Sequence, residues 1–245
     1  MILRRALVVT ISVLCCALPA KAQQYVTDDA ALTEHRACQI QMWHGQRSSW
    51  VLPVCTPLKH AELSLGFIAV WEDGADGHFE YVAQVKTVAK ALATDSWGIG
   101  FVLGTGRDPA FAGTGAQTYT MYSYVPISES LWGDRLVLHE NIGGLYLRAD
   151  HKAHYAVTWA ARADGRIAGR VGRGLVAVAE AYGSASVGTL GAQTQSEYQV
   201  GLRTWVRPDR VQVDGSYGRT FKRPLAGRGG SGWTIGLTLI TPPFL

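Results

Sequence analysis

The sequence predicts an all-β protein: an antiparallel up-and-down transmembrane β-barrel of about twelve strands, behind a cleaved signal peptide. Three observations carry that prediction: an export signal at the N-terminus, a two-residue hydrophobic period in window after window, and a regular alternation of long and short connections.

The export signal comes first along the chain. Met1 to Arg5 forms a basic n-region, Ala6 to Leu18 an apolar h-region, and Ala20-Lys21-Ala22 a small-x-small cleavage site. The apolar run is short for a membrane anchor and a cleavage site follows it, so residues 1–22 read as a signal peptide and 23–245 as the barrel domain. Cys15 and Cys16 lack the small preceding residue that a lipoprotein site needs. Cleavage removes Arg4, Arg5 and Lys21 and no acid, so a formal charge of +4 falls to +1. A chain this near neutrality gives no basis for a nucleic-acid partner. With 47% hydrophobic and 17% charged residues, disorder is excluded as well. No apolar run of transmembrane-helix length follows the signal.

The period of two is clear in several windows. Trp97, Ile99, Phe101 and Leu103 alternate with Gly98, Gly100, Val102 and Gly104. Tyr198, Val200, Leu202, Thr204 and Val206 alternate with Gln199, Gly201, Arg203 and Trp205. Trp233, Ile235, Leu237 and Leu239 alternate with Thr234, Gly236, Thr238 and Ile240. A soluble periplasmic sandwich also alternates. The export signal, the lack of a charged outer face and the aromatics near strand ends favour lipid outside.

Twelve strands are expected, near 36–44, 48–55, 61–71, 79–90, 96–105, 118–126, 134–147, 153–161, 174–183, 196–206, 210–219 and 231–241. An even count suits a single-chain barrel with both ends in the periplasm. The long Gly-rich connections 106–117, 184–195 and 220–230 then fall at odd, extracellular positions, and the tight Arg207-Pro208-Asp209 turn at an even, periplasmic one. The Arg-rich segment 162–173 is the exception, a long connection at a periplasmic position.

Removal of the signal leaves Cys38 and Cys55. With Gln46-Arg47 as a two-residue hairpin loop, Cys38 faces Cys55 and Trp43 faces Trp50, so a cross-strand disulfide is expected. It is a staple without redox chemistry. No metal-ligand set emerges: His35, His44 and His60 lack zinc-type spacing, and Asp150 with His151 and His154 is at most a surface cluster. Asp28-Asp29 reads as part of a solvated tail rather than a calcium site.

Val26-Thr27-Asp28-Asp29-Ala30, Cys38-Gln39 leading to Trp43, and Val51 to Cys55 carry a family likeness. So do Gly201-Leu202-Arg203, Pro208 to Asp214 and Pro242-Pro243-Phe244-Leu245, and more loosely Arg135 to His139. Together they resemble a family of small proteobacterial outer-membrane β-barrel proteins described as putative transporters. They are also distantly similar to the barrel group labelled MetA-pathway of phenol degradation. The resemblance implies a barrel and an outer-membrane address, and it transfers no substrate or catalytic residue. The ending departs from the commonest barrel terminus, because Phe244 is next to last and Pro242-Pro243 interrupts the ladder.

Searching the residues for catalysis gives nothing. None of the His residues is followed by Ser two positions on, and neither Gly-x-Ser-x-Gly nor His-Glu-x-x-His occurs. His139 with Asn141 reads as a polar pair facing the lumen. No cofactor is implied. The inward face is expected to carry Gln84, Lys86, His139, Asn141, Glu180, Gln199, Arg203, Gln212 and Asp214. These groups either line a narrow aqueous path, with Lys86 and Arg203 favouring anionic or polyhydroxylated solutes, or pair together as a plug, as Arg203 with Asp214 or Glu180. Glu140 falls on the lipid face beside Leu136, Leu138 and Ile142, so it lies near the rim or the register slips there.

The expected function is a monomeric, narrow passive channel for small polar or amphipathic solutes. Its partners are outer-membrane lipid and lipopolysaccharide, the barrel-assembly machinery and the solutes themselves. The alternatives are a closed structural or adhesive barrel acting through its outer loops, a membrane-embedded hydrolase, and a soluble periplasmic β-sandwich.

Overall fold

The computed structural model describes residues 25–46, 48–70, 78–106, 119–149, 152–169, 174–187, 194–220 and 231–244. Residues 1–24, the long connections 107–118, 188–193 and 221–230, Arg170, Arg173, Asp150 and His151 lie outside them. Among the described residues there is no helix, and twelve strands succeed one another. They are β1 (Cys38–Gly45), β2 (Ser48–Leu58), β3 (Ala61–Val70), β4 (His78–Lys90), β5 (Trp97–Gly106) and β6 (Tyr119–Leu131). Then follow β7 (Leu136–Ala149), β8 (Lys152–Ala168), β9 (Leu175–Val187), β10 (Thr194–Arg207), β11 (Val211–Thr220) and β12 (Ser231–Ile240). Each strand pairs antiparallel with its sequence neighbours and β12 returns to β1, so the barrel is closed and no edge is left unpaired. This is the transmembrane up-and-down barrel that the period of two requires.

The alternation sorts side chains as a barrel wall in lipid does. Leu63, Leu65 and Phe67 on β3, Phe101 and Leu103 on β5, Val200 and Leu202 on β10, and Ile235 on β12 are exposed on the outside. Their neighbours in sequence point inward. Exposed aromatics collect towards the two rims: Trp97 and Trp132 at the end where β1 begins and β12 ends, Phe79, Tyr119, Tyr155 and Trp233 at the other. Such a surface is stable against hydrocarbon and costly against water.

Tight connections sit at the rim where β1 begins and β12 ends. Arg210 N–H donates to Arg207 O at 3.1 Å, and Asp209 takes φ of 56°, which closes the Pro208-Asp209 turn. At the same rim Thr241 N–H donates to Cys38 O and Phe244 N–H to Arg36 O, so the chain pairs on past Pro242-Pro243. Cys38 and Cys55 are Cα partners 4.1 Å apart and joined by a disulfide, with Trp43 opposite Trp50 in the same register.

One expectation about the strands needs correction. Segment 162–173 is not one long connection, because β8 continues to Ala168 and pairs as far as Leu136↔Gly165. The period persists there as Ala161, Ala163 and Gly165 outside against Arg162, Asp164 and Arg166 inside. Small and charged residues imitate a loop until their partners are known. β7 keeps its register unbroken across β6 and β8, so Glu140 stands on the outer face beside exposed Ile142, where alternation places it and with no slip.

Candidate functional site: a strapped lumen

The segment before β1 is the main occupant of the lumen. From Tyr25 to Arg36 the chain folds back through the rim and crosses the interior as a strap, held mostly by its own backbone. Val26 N–H donates to Glu180 Oε2 at 3.0 Å, and Thr27 N–H to Glu180 Oε1. Arg162 Nη1 donates to Thr27 O at 2.6 Å. Ala30 N–H reaches Ser128 Oγ at 2.9 Å, and Thr33 N–H and Oγ1 both reach Glu62 Oε2 at 2.9 Å. Asn141, in the amide orientation that satisfies both its ends, accepts from Asp28 N–H at 2.8 Å and donates to Asp28 O at 3.0 Å. A polar strap without regular structure is stable here because the wall supplies the partners that its peptide groups need.

Its side chains add charge pairing. Lys86 Nζ lies 2.8 Å from Asp28 Oδ1 and 3.0 Å from Asp29 Oδ1, with the Lys86 side chain only 4% exposed. Burial disfavours a charge on Asp29, yet the Lys86 ammonium outweighs it and holds the carboxyl well below the usual carboxylate range. Tyr25 lies under the Arg203 guanidinium, 5.3 Å from ring centroid to Cζ. Burial pushes its hydroxyl far above the ordinary phenol range, so it stays neutral. Gly201 makes room for it, since a Cβ there would collide with the Tyr25 hydroxyl and with Gly215 O. Asp28-Asp29 is therefore no solvated tail.

The structure divides the nine inward candidates into two groups. His139, Asn141, Glu180, Gln199 and Asp214 are buried. Glu180 holds the strap and accepts from Gln199 Nε2, and Asp214 Oδ1 takes the Arg203 Nε–H at 2.6 Å. Gln84, Lys86, Arg203 and Gln212 face a cavity of about 720 Å³ that the strap leaves open. That cavity runs along the β1–β4 and β10–β12 side, from Asp209 and Arg210 at the terminal rim towards Trp43 and Trp50 near the other end of β1 and β2. Both of its expected cations are compensated, Lys86 by Asp28 and Asp29, Arg203 by Asp214 and Asp164. Among the described residues no group of three or more His, Cys, Asp and Glu is placed to hold a metal ion.

One arrangement escapes a search along single strands. Ser128 Oγ lies 2.8 Å from His139 Nδ1, and His139 Nε2 lies 3.7 Å from Asp164 Oδ2, across β6, β7 and β8. The order serine, histidine, aspartate is that of a nucleophile and its base. Here it is packed shut: Ser128 is 1% exposed and its Oγ already accepts the Ala30 N–H. Cross-strand pairing, Ser128↔His139, created the contact, so no spacing in sequence displays it.

A family model described as "Uncharacterised conserved protein UCP029691" matches residues 10–239. It is this family, and not the MetA-pathway of phenol degradation group, that the chain matches. No curated protein matches the sequence significantly. Among solved structures, the NanC porin is similar with a TM-score of 0.58 at 10% identity, covering 82% of this chain and 98% of that one. The KdgM porin in complex with disordered oligogalacturonate gives a TM-score of 0.55 at 10% identity, covering 83% and 98%. At that identity the likeness concerns the fold, which is that of outer-membrane barrels.

Proposed function

The chain belongs to the family whose model it matches over residues 10–239, and since that family's description names no activity, we propose a function from the lumen itself: a narrow passive channel for small polar or amphipathic solutes. The carrying observation is the cavity of about 720 Å³ beside the strap, lined from Asp209 and Arg210 at the terminal rim to Trp43 and Trp50. The porin fold of the NanC and KdgM structures agrees with this reading. The belt of exposed apolar residues between aromatic rims supports an outer-membrane address. In that setting residues 1–22 act as the signal peptide, the barrel-assembly machinery inserts the mature chain, lipopolysaccharide and lipid surround it, and it works as a monomer. No catalysis is assigned, because the Ser128 hydroxyl has no space for an acyl group.

The strap narrows this path without filling it. Its paired charges leave the wall close to neutral, so weak ion selectivity is expected rather than the anion preference that Lys86 and Arg203 suggest alone. Planar-bilayer recording of the refolded chain tests the proposal. Small, steady single-channel steps support it. Their absence from protein with a confirmed barrel fold would leave the closed structural or adhesive reading.

A further inference from the structure

We propose that the cavity beside the strap is a binding site for a neutral saccharide, a solute class more specific than the channel reading it rests on. Three features of the lining converge on that chemistry.

The first is a flat aromatic wall. Trp43 and Trp50 are cross-strand partners that both point inward, and their rings stack at 5.1 Å between centroids with 14° between planes. Both line the cavity, with Trp205 at its other end. An indole face carries partial negative charge and matches the weakly positive C–H face of a pyranose ring. The second feature is amide chemistry along the same path. Gln39, Gln41, Gln84 and Gln212 line it, amides of the kind that pair with neighbouring hydroxyls, with the Gln84 oxygen also accepting from Tyr122 and the Gln212 amide donating to Asp214. Trp43 adds a donor. Its side chain is more than nine-tenths buried and its Nε1–H has no partner among the described residues, a partner that a ligand hydroxyl supplies once the indole edge turns into the cavity.

The third feature decides the charge of the ligand. An acidic sugar needs an unspent cation near the aromatic wall, and the cavity's inner cations are spent, Arg162 on Asp164 at 2.9 Å among them, while Arg210, bonded to Thr241 O, lies at the far rim. Lys86 is held by Asp28 and Asp29, and Arg203 by Asp214 at 2.6 Å and Asp164 at 3.2 Å. A carboxylate would have to break those pairs, whereas a polyol need not. The volume of about 720 Å³ falls inside the ~300–1,000 Å³ range of small-molecule sites and accommodates a short oligosaccharide.

The experiment uses full-length refolded protein in detergent, titrated with maltotriose and separately with digalacturonate, reading tryptophan fluorescence. The same sugars are then applied to single channels in a bilayer. Saturable quenching and current block by maltotriose, with a weaker response to digalacturonate, are expected. Trp50→Ala is expected to weaken maltotriose binding at least tenfold. Trp43→Phe keeps the stacked wall but removes the donor, and should weaken binding several-fold. Heat-modifiable migration of each variant confirms its barrel. No saturable response to maltotriose, unchanged affinity in folded Trp50→Ala, or tighter binding of digalacturonate overturns the proposal. Channel steps that maltotriose leaves unaffected overturn the saccharide site alone. Saturable binding without any conductance overturns the channel reading and leaves the site standing.

Discussion

Lys86 is the residue on which the strap's charge depends. It is 4% exposed and holds both Asp28 and Asp29. Removing one partner of a buried ion pair costs about 3–5 kcal/mol. Asp29 keeps 41% of its side chain open, so Lys86→Met should cost less than that range. The stranded carboxylates should instead favour release of the strap, seen as larger or flickering channel steps. Unchanged steps would show that the backbone contacts suffice. Asp29 also sets a direction for pH. Its folded pKa lies below its unfolded one, so its share of the anchoring is complete above the ordinary aspartate value of ~3.9 and is lost as pH falls through the lowered one. Conductance should therefore be flat from about pH 5 to 8 and rise only under stronger acid. A rise centred near neutrality would remove Asp29 from the role. Only half of this was legible in the residues themselves. The inward position of Lys86 follows from strand parity, but its partners are 57 and 58 residues away and on no strand.

At the scale of elements, the strap and the first hairpin behave differently. Deleting residues 25–36 after a retained signal removes the hydrogen bonds to Glu180, Ser128, Glu62 and Arg162 without touching the ladder of β1 to β12. The barrel should still form, with single-channel conductance raised several-fold. Equal conductance in both proteins would mean that the open side already carries all the current. The hairpin staple closes a separation of 17 residues, which the chain-entropy estimate values at about 3 kcal/mol. Reduction, or Cys38→Ser with Cys55→Ser, should lower the temperature at which the folded band disappears on a gel. It should leave channel steps unchanged, because the cysteines sit on the outward parity of β1 and β2. The hairpin was readable because turn length sets register, and register pairs Cys38 with Cys55. The strap was not, since a polar segment without a period looks like tail until the wall that satisfies it has closed.

The whole molecule is a wall with two solvents and a guest. Closure of β12 onto β1 leaves no strand edge, so unheated protein should migrate as a compact band that boiling shifts. Migration insensitive to heat, with full solubility in the absence of detergent, would contradict the lipid-facing belt. Glu140 is a charge that alternation predicts on the lipid side and that the structure keeps there, away from the strand ends where exposed Glu129, Arg148 and Arg219 lie. Glu140→Leu should raise thermal resistance, by an amount that falls the nearer this position lies to the membrane interface. An unchanged transition would place it in the headgroup region.

The class, the strand count, the inward and outward faces and the disulfide were legible in the residues alone. Each depends on a period of two or on a short turn, and both are local properties of the chain. What stands inside the barrel emerges with the closed fold. The fate of Asp28-Asp29, the extension of β8 through Arg162 and Asp164, and the Ser128–His139 contact all require segments that meet only when the barrel closes. A buried charge or peptide group must be satisfied wherever a partner is available, and in this protein the wall provides those partners to the strap from tens of residues away.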